Sequence, residues 1–479
     1  MAPSRLLRLA PDDSESEGTL QGRERRSRLM TATRRVAVSH AAVIRLALPM
    51  TLAHMSTPLL GFADAAVIGR LGQPALLGAI AAAAVIFDFV FWALGFLRLG
   101  TAGMTAQAVG AGDAAEQQAT LLRALLLALV LAALVVLLQK PIAWIAFSAL
   151  DATPEVTAAA RAYYDIRIWS APFALLNYVV LGAVIGRGRT DLGLMLQVLI
   201  NLSNIALNVT LVAGFGYGVR GSASGTLIAE GLGAVAGLVV LARLQGRFTV
   251  DWVRLRDGAA LRRMMGVNGD IMIRSASLIF AFAFFTAQGA RGGDVVLAAN
   301  AVLMNLFLIS AFFLDGFATA AEQMCGQSVG ARDGAGFRRA VAITSLWCLV
   351  FSAAVSFLAF VGGGAFIDVV TTSPGVREAA RAFLPFAALT PLCGAMAFEF
   401  DGVFIGATWT RDMRNLMVVA LAIYLVLFFA LKPLGNAGLW TALLGFLLAR
   451  GLLQGWRFGT LADATFPAAD EIVPATVRG

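Results

Sequence analysis

Apolar residues in this chain come in long runs, not in short alternating patterns. Stretches of about 20 mostly apolar residues, the length that crosses a bilayer core, recur between short breaks rich in Gly, Pro and Arg. Twelve spans are predicted: 42–66, 77–105, 118–138, 160–183, 194–216 and 222–243, then 266–288, 297–323, 338–361, 380–403, 414–432 and 438–458. A helix satisfies its own backbone polar groups inside lipid, so each run is expected to be helical. The predicted fold class is all-α membrane protein.

The pattern repeats. QAVGAGD at 107–113 matches QSVGARD at 327–333, and Gly182 and Gly186 match Gly402 and Gly406, each pair 220 apart. Pro154, Arg161, Met104 and Gly225 find Pro374, Arg381, Met324 and Gly445 at the same offset. Six spans per half means both halves enter the membrane from the same side, so the expectation is two six-helix lobes related by a parallel repeat. The domains read as a tail over 1–38, a lobe over 39–245, a linker over 246–264, a second lobe over 265–458 and a second tail over 459–479. The substrate path is expected between the lobes.

Composition supports a bilayer setting: 59% of residues are hydrophobic and 14% charged, with mean hydropathy +0.79. Soluble domains run at roughly 45–50% and about 25%. The net charge of +8 does not require nucleic acid, because its arginines collect in alternate loops. Arg34 and Arg35, Arg187 and Arg189, Arg243 to Arg263, Arg332 to Arg339, and Arg411 and Arg414 all fall on one side. By the positive-inside rule that side is cytoplasmic. Both termini are then inside a bacterial-type plasma membrane. The segment through Met30 mixes Arg with Asp and Glu and lacks an apolar core, so it reads as a tail and not a signal peptide. Cys325, Cys348 and Cys393 have no metal-ligand spacing and read as packing residues. No cofactor is expected, and no metal.

LALPM at 46–50, LLGFADAAVIG at 59–69, NAVLMNLFLISAFFLDGFATAAEQMCGQSVGARD at 300–333 and DGVFIGATWTRDMRN at 401–415 together resemble the DinF-like branch of the multidrug and toxic compound extrusion (MATE) family. The match runs from about 40 to 458. The resemblance implies a monomeric twelve-helix, two-lobe antiporter that exports amphipathic, often cationic small molecules against protons or sodium.

Asp64 sits among apolar residues in the first span, where a charge costs roughly 2.5–3.5 kcal/mol and protonation removes that cost. The resemblance also puts an essential carboxylate here. Pro49 removes a backbone hydrogen bond and invites a kink in the same helix, about 22 Å from Asp64; in the family, bending at this proline is tied to protonation. Asn204 and Asn208 share a face at i, i+4. The family pattern there is Asn then Asp, and this chain departs from it at Asn208. A hard cation prefers anionic oxygen ligands, so the departure favours H+ over Na+ as coupling ion. Thr226 and Tyr163 match positions that complete the family's polar cluster.

In the second half, Asp270 and Arg274 have i, i+4 spacing and are expected to pair. Asp315, Glu322 and Asp401, with Met50 and Met55, are candidates for a substrate or second polar site. Arg98, Arg123 and Arg450 are expected to partner carboxylates or snorkel near helix ends. Adding 220 to Asp64, Tyr163, Asn204, Asn208 and Thr226 gives Phe284, Phe383, Tyr424, Phe428 and Phe446. Each polar candidate in the first lobe has an aromatic counterpart in the second, so ion coupling is expected in the first lobe. Competing readings are a sodium-coupled exporter and a lipid-linked oligosaccharide flippase of the same superfamily; the flippase would need a basic cavity, whereas the embedded residues here are mainly acidic. An enzyme is disfavoured because the chain has no HExxH, Asp-rich metal motif or nucleophile elbow.

Overall fold

The computed structural model describes residues 36–69, 74–148, 153–246 and 250–467, with side chains described throughout except at 57–66 and 74–75. Among the described residues, eleven helices are long and apolar enough to cross a membrane. A twelfth, α1 (His40–Gly69), has 30 residues, about 45 Å of helix. The others are α2 (Leu76–Gly110), α3 (Ala114–Leu137), α4 (Pro154–Gly186), α5 (Thr190–Gly214), α6 (Gly218–Gln245), α7 (Gly258–Ala290), α8 (Asp294–Gly330), α9 (Gly334–Val370), α10 (Pro374–Gly406), α11 (Thr410–Leu434) and α12 (Asn436–Thr465). No strand occurs among the described residues.

Most helices run past the apolar stretches that predict them, because hydropathy marks only the lipid-facing middle while capped polar turns continue the helix. Asp113, Asp257 and Asp333 accept from the backbone N–H of Glu116, Ala259 and Gly336, satisfying donors that a helix start leaves open. The expected linker over 246–264 is therefore shorter, since α7 begins at Gly258. The C-terminal tail likewise starts later than 459, because α12 continues to Thr465. Breaks are local: α2 is interrupted at Leu94–Gly95 between Ala93 and Phe96, α4 tightens to a 3-10 turn at Ile168–Ser170, and α5 ends in a π turn over Val209–Gly214.

The two lobes pack alike. In the first, α2 lies on α3 and α4, α5 on α1 and α6, and α4 on α6; in the second, α8 lies on α9 and α10, α11 on α7 and α12, and α10 on α12. This is the parallel repeat in three dimensions. Glycines at matched positions allow the close crossings. A Cβ on Gly182 or Gly186 would come within 2.4 or 2.5 Å of the Arg98 or Ala102 carbonyl oxygen, and one on Gly402 or Gly406 within 2.1 or 2.2 Å of Ala318 or Glu322. Apolar side chains exposed on the outside, such as Val130, Leu137, Phe357, Phe429 and Trp456, form the surface a bilayer covers.

Candidate functional site

The lobes meet where α1 and α2 cross α8, and where α2 meets α7 and α10. The repeated QxVG motif forms the tightest part of this seam. A Cβ on Gly110 would lie 2.0 Å from the Gln327 carbonyl oxygen, and one on Gly330 would lie 1.9 Å from the Gln107 carbonyl oxygen. These are reciprocal contacts across the pseudo-twofold axis, so the motif is repeated because both lobes contribute the same half of one interface. Side chains reinforce it. Gln107 donates to the Gly406 carbonyl oxygen (2.8 Å) and accepts from Arg263 (2.7 Å), which also donates to Thr408.

A second reciprocal pair lies at the same end. Asp113 caps α3 with one oxygen and takes the Arg254 guanidinium at 2.7 Å with the other. Asp333 caps α9 with one oxygen and accepts from Val36 N at 3.0 Å with the other. Arg254 precedes the second lobe and Val36 the first, so the segment leading into each lobe is fastened to the opposite one. The Arg254 hydrogen bond holds the Asp113 carboxyl below the usual carboxylate range.

In the first lobe three predicted residues form a ladder. Asn208 donates to Asn204 Oδ1 at 2.8 Å, and Asn204 donates to Thr226 Oγ1 at 2.9 Å. All three are buried, and the Thr226 hydroxyl donates to the Ser222 carbonyl oxygen. The i, i+4 spacing on α5 makes the first contact, and the packing of α5 on α6 makes the second. Tyr163 is also buried but packs on Phe87, with ring centroids 6.3 Å apart, and no hydrogen bond joins it to the ladder among the described residues. The side chain of Asp64 lies outside the described residues. Pro49 lies within α1, two residues before Thr51, where α1 crosses α8: a Cβ on Gly316 would come within 2.8 Å of the Ala47 carbonyl oxygen and 2.0 Å of Thr51 Oγ1.

At the ladder's counterparts the second lobe is aromatic. Phe284 lies 5.7 Å from Tyr424 and 5.0 Å from Phe428, and Tyr424 lies 5.5 Å from Phe446, ring to ring. The predicted asymmetry between the lobes therefore appears as two different packings of the same positions. Phe383, the counterpart of Tyr163, packs separately, on Phe386.

The charges of the second lobe pair differently from the spacing rule. Asp270 bonds Arg414 at 2.6 Å and Thr410 at 3.1 Å, not Arg274. Arg274 instead reaches Asp401, which also accepts from Arg450 at 2.6 Å and from Gln454 at 2.9 Å. Helix-to-helix packing overrides the weak pairing available within one helix. With three donors, Asp401 is committed to tying α7, α10 and α12 together. Arg123 pairs with Glu116 at 2.8 Å and Arg450 with Asp401, as expected. Arg98 makes no ion pair within 4 Å among the described residues, and one of its guanidinium nitrogens is buried without a hydrogen bond.

Glu322 is buried with one oxygen unbonded, and Glu399, fully buried, accepts from Thr344. Asp315 precedes Gly316, so it lies where α8 crosses α1. Met50 is fully buried and packs with Ala53, Ala102 and Ile185. Met55 is partly exposed. Sequence reasoning missed Glu230 on α6, held by Asn177 of α4 at 2.6 Å. The available signal was a carboxylate within an apolar run one helical turn after Thr226.

Twelve helices in two matching lobes, with a seam between them and buried polar side chains in both, define a polytopic membrane transporter. The MatE family model matches twice, at residues 49–210 and 271–431, once in each lobe. The chain belongs to this family of multidrug and toxic compound extrusion transporters. It is 38% identical over 439 residues to DNA damage-inducible protein F of Escherichia coli K12, covering 89% of this chain and 95% of that one. It is 28% identical to the probable multidrug resistance protein NorM of Deinococcus radiodurans, covering 87% and 94%. Among solved structures, a MOP superfamily transporter from Pyrococcus furiosus superposes with TM-score 0.81 at 18% identity, over 90% of this chain and 97% of that one.

Proposed function

We propose that the chain is a secondary active antiporter that exports amphipathic, cationic compounds in exchange for protons by alternating access. The observation that carries the reading is the buried ladder Asn208–Asn204–Thr226 in one lobe, matched by an aromatic cluster at the equivalent places of the other. Buried amides and hydroxyls in series can stabilise a neighbouring acid in either protonation state, because an amide both donates and accepts. Asp64 is the acid assigned to that place. Its counterpart Phe284 touches the counterparts of Asn204 and Asn208, which supports pairing Asp64 with the ladder. An amide at 208 supplies no anionic oxygen, which favours the proton over sodium.

The reciprocal contacts of Gly110 and Gly330 close the seam at the end carrying Val36 and Arg254. With that end cytoplasmic, as the arginine distribution favours, the seam is the gate on the cytoplasmic side. Export then requires this seam to open. Substrate efflux from proteoliposomes under an imposed proton gradient, with and without sodium, tests the reading: export driven by protons alone supports it, and an absolute need for sodium overturns the choice of ion.

A further inference from the structure

We propose that Glu230 is a second proton-carrying carboxylate of the first lobe, which receives the cationic centre of the substrate when it has lost its proton. The inference rests on the antiport reading above and adds to it a residue the ladder does not contain.

Glu230 is the thirteenth of the 28 residues of α6, about 18 Å from the start of the helix and so near mid-membrane. It follows Thr226 by four residues, which places both on one face of α6 and extends the ladder by a turn. A carboxylate at such depth is costly and tends to be functional unless it is paired. Glu230 has no Arg, Lys or His within 4 Å among the described residues. Its partner is neutral: Asn177 Nδ2 donates to Oε2 at 2.6 Å and to the Glu230 carbonyl oxygen at 3.1 Å.

Asp401 shows what a structural carboxylate in this protein looks like, with two guanidinium groups and an amide filling both oxygens. Glu230 is built differently. One oxygen is oriented by a neutral amide that serves carboxylate and acid alike, and Oε1 is left for a proton or a ligand. The charged group acting on it is Arg167 of α4; Tyr178 of the same helix lies within the field of Glu230 and, further along, of Arg98 and Asp88 of α2. α5 carries the amides Gln197, Asn201, Asn204 and Asn208, with Asp191 in its first turn paired to Arg189, and α1 carries His54 and Asp64. Arg167 sits over the rings of Phe87 and Phe91, at 5.4 and 5.8 Å, and bonds Ser170, so it offers a field without closing an ion pair. Loss of the proton leaves an anion beside Asn177, one helical turn from Thr226, and a cationic substrate neutralises it; reprotonation ejects the cation.

The test uses the purified full-length protein in weakly buffered detergent solution and ethidium as probe. Because ethidium is permanently charged, any proton released on binding comes from the protein. Wild type is expected to release protons and to bind ethidium more tightly as pH rises. Glu230→Gln, which keeps an acceptor for Asn177, is expected to cut the release by about half and to flatten the pH dependence of the Kd in proportion, as linkage requires. Glu230→Asp is expected to restore both in part, which a purely structural role does not predict. Wild-type release that is unchanged in Glu230→Gln, or lost wholly in Asp64→Asn alone, overturns this assignment and leaves the antiport reading intact. No proton release from wild type overturns both.

Discussion

Gly110 in α2 faces the backbone of Gln327 in α8 across the seam between the lobes, so closely that a Cβ there would lie 2.0 Å from the Gln327 carbonyl oxygen. The reciprocal contact of Gly330 with Gln107 makes a matched prediction. Overpacking a fitted contact costs about 1–3 kcal/mol, or about 5- to 150-fold in an equilibrium. Gly110→Ala and Gly330→Ala should each destabilise the closed seam to a similar degree. Labelling of single cysteines placed along the seam should rise in both variants. A large effect at one glycine and none at the other would contradict a symmetric seal.

The pair Arg254 and Asp113 should fasten the lobes weakly. Both side chains are about 40% exposed, and exposed pairs are worth about 0.2–1 kcal/mol, a factor of about 1.4 to 5 in population. Arg254→Ala should shift spin-label distances between the lobes toward the inward-open state by that modest factor, and high salt should imitate the substitution in wild type. The pH dependence has a definite sign. Since the folded-state Asp113 carboxyl is held below its ordinary value of 3.8 by the Arg254 hydrogen bond, its contribution is present above that value and is lost as pH falls through the depressed one. Neutral and mildly acidic pH should leave the latch unchanged.

Asp401 and Arg450 should behave as a buried pair. Arg450→Met leaves Asp401 with one cation fewer and should cost about 3–5 kcal/mol of stability, seen as a lower unfolding temperature in detergent. In a double-mutant cycle with Asp401→Leu, which also leaves Arg274 without its partner, the double variant should lose less than the sum of the two single losses. Strictly additive losses would contradict the pairing.

Asn208 should set the choice of ion. Asn208→Asp supplies an anionic oxygen beside Asn204 and is expected to make efflux respond to sodium. Sodium-independent efflux in that variant would show that residue 208 does not decide selectivity. Thr226→Val removes the acceptor for Asn204 and should cost about 1–3 kcal/mol through the unsatisfied buried amide.

Much of the architecture is readable in the sequence because bilayer-spanning runs and a fixed 220-residue offset are both one-dimensional signals. The Asn204–Asn208 contact is readable for the same reason, since it lies within one helix turn. Partners on different helices are not. Arg274 sits at the right spacing for Asp270, yet finds Asp401 127 residues away, because α7 turns that face toward α10. Glu230 needed its neighbour Asn177 on α4 to stand out from an apolar run. The role of the repeated glycines emerges only from the crossing of α2 and α8, since the sequence marks their recurrence but not what they touch.

The most direct test follows ethidium and proton fluxes together in proteoliposomes containing wild type or Asp64→Asn, in sodium-free buffer. The proton-antiport account predicts that wild type moves protons inward as ethidium is exported and that Asp64→Asn stops both fluxes. Undiminished, proton-coupled export by Asp64→Asn would contradict it.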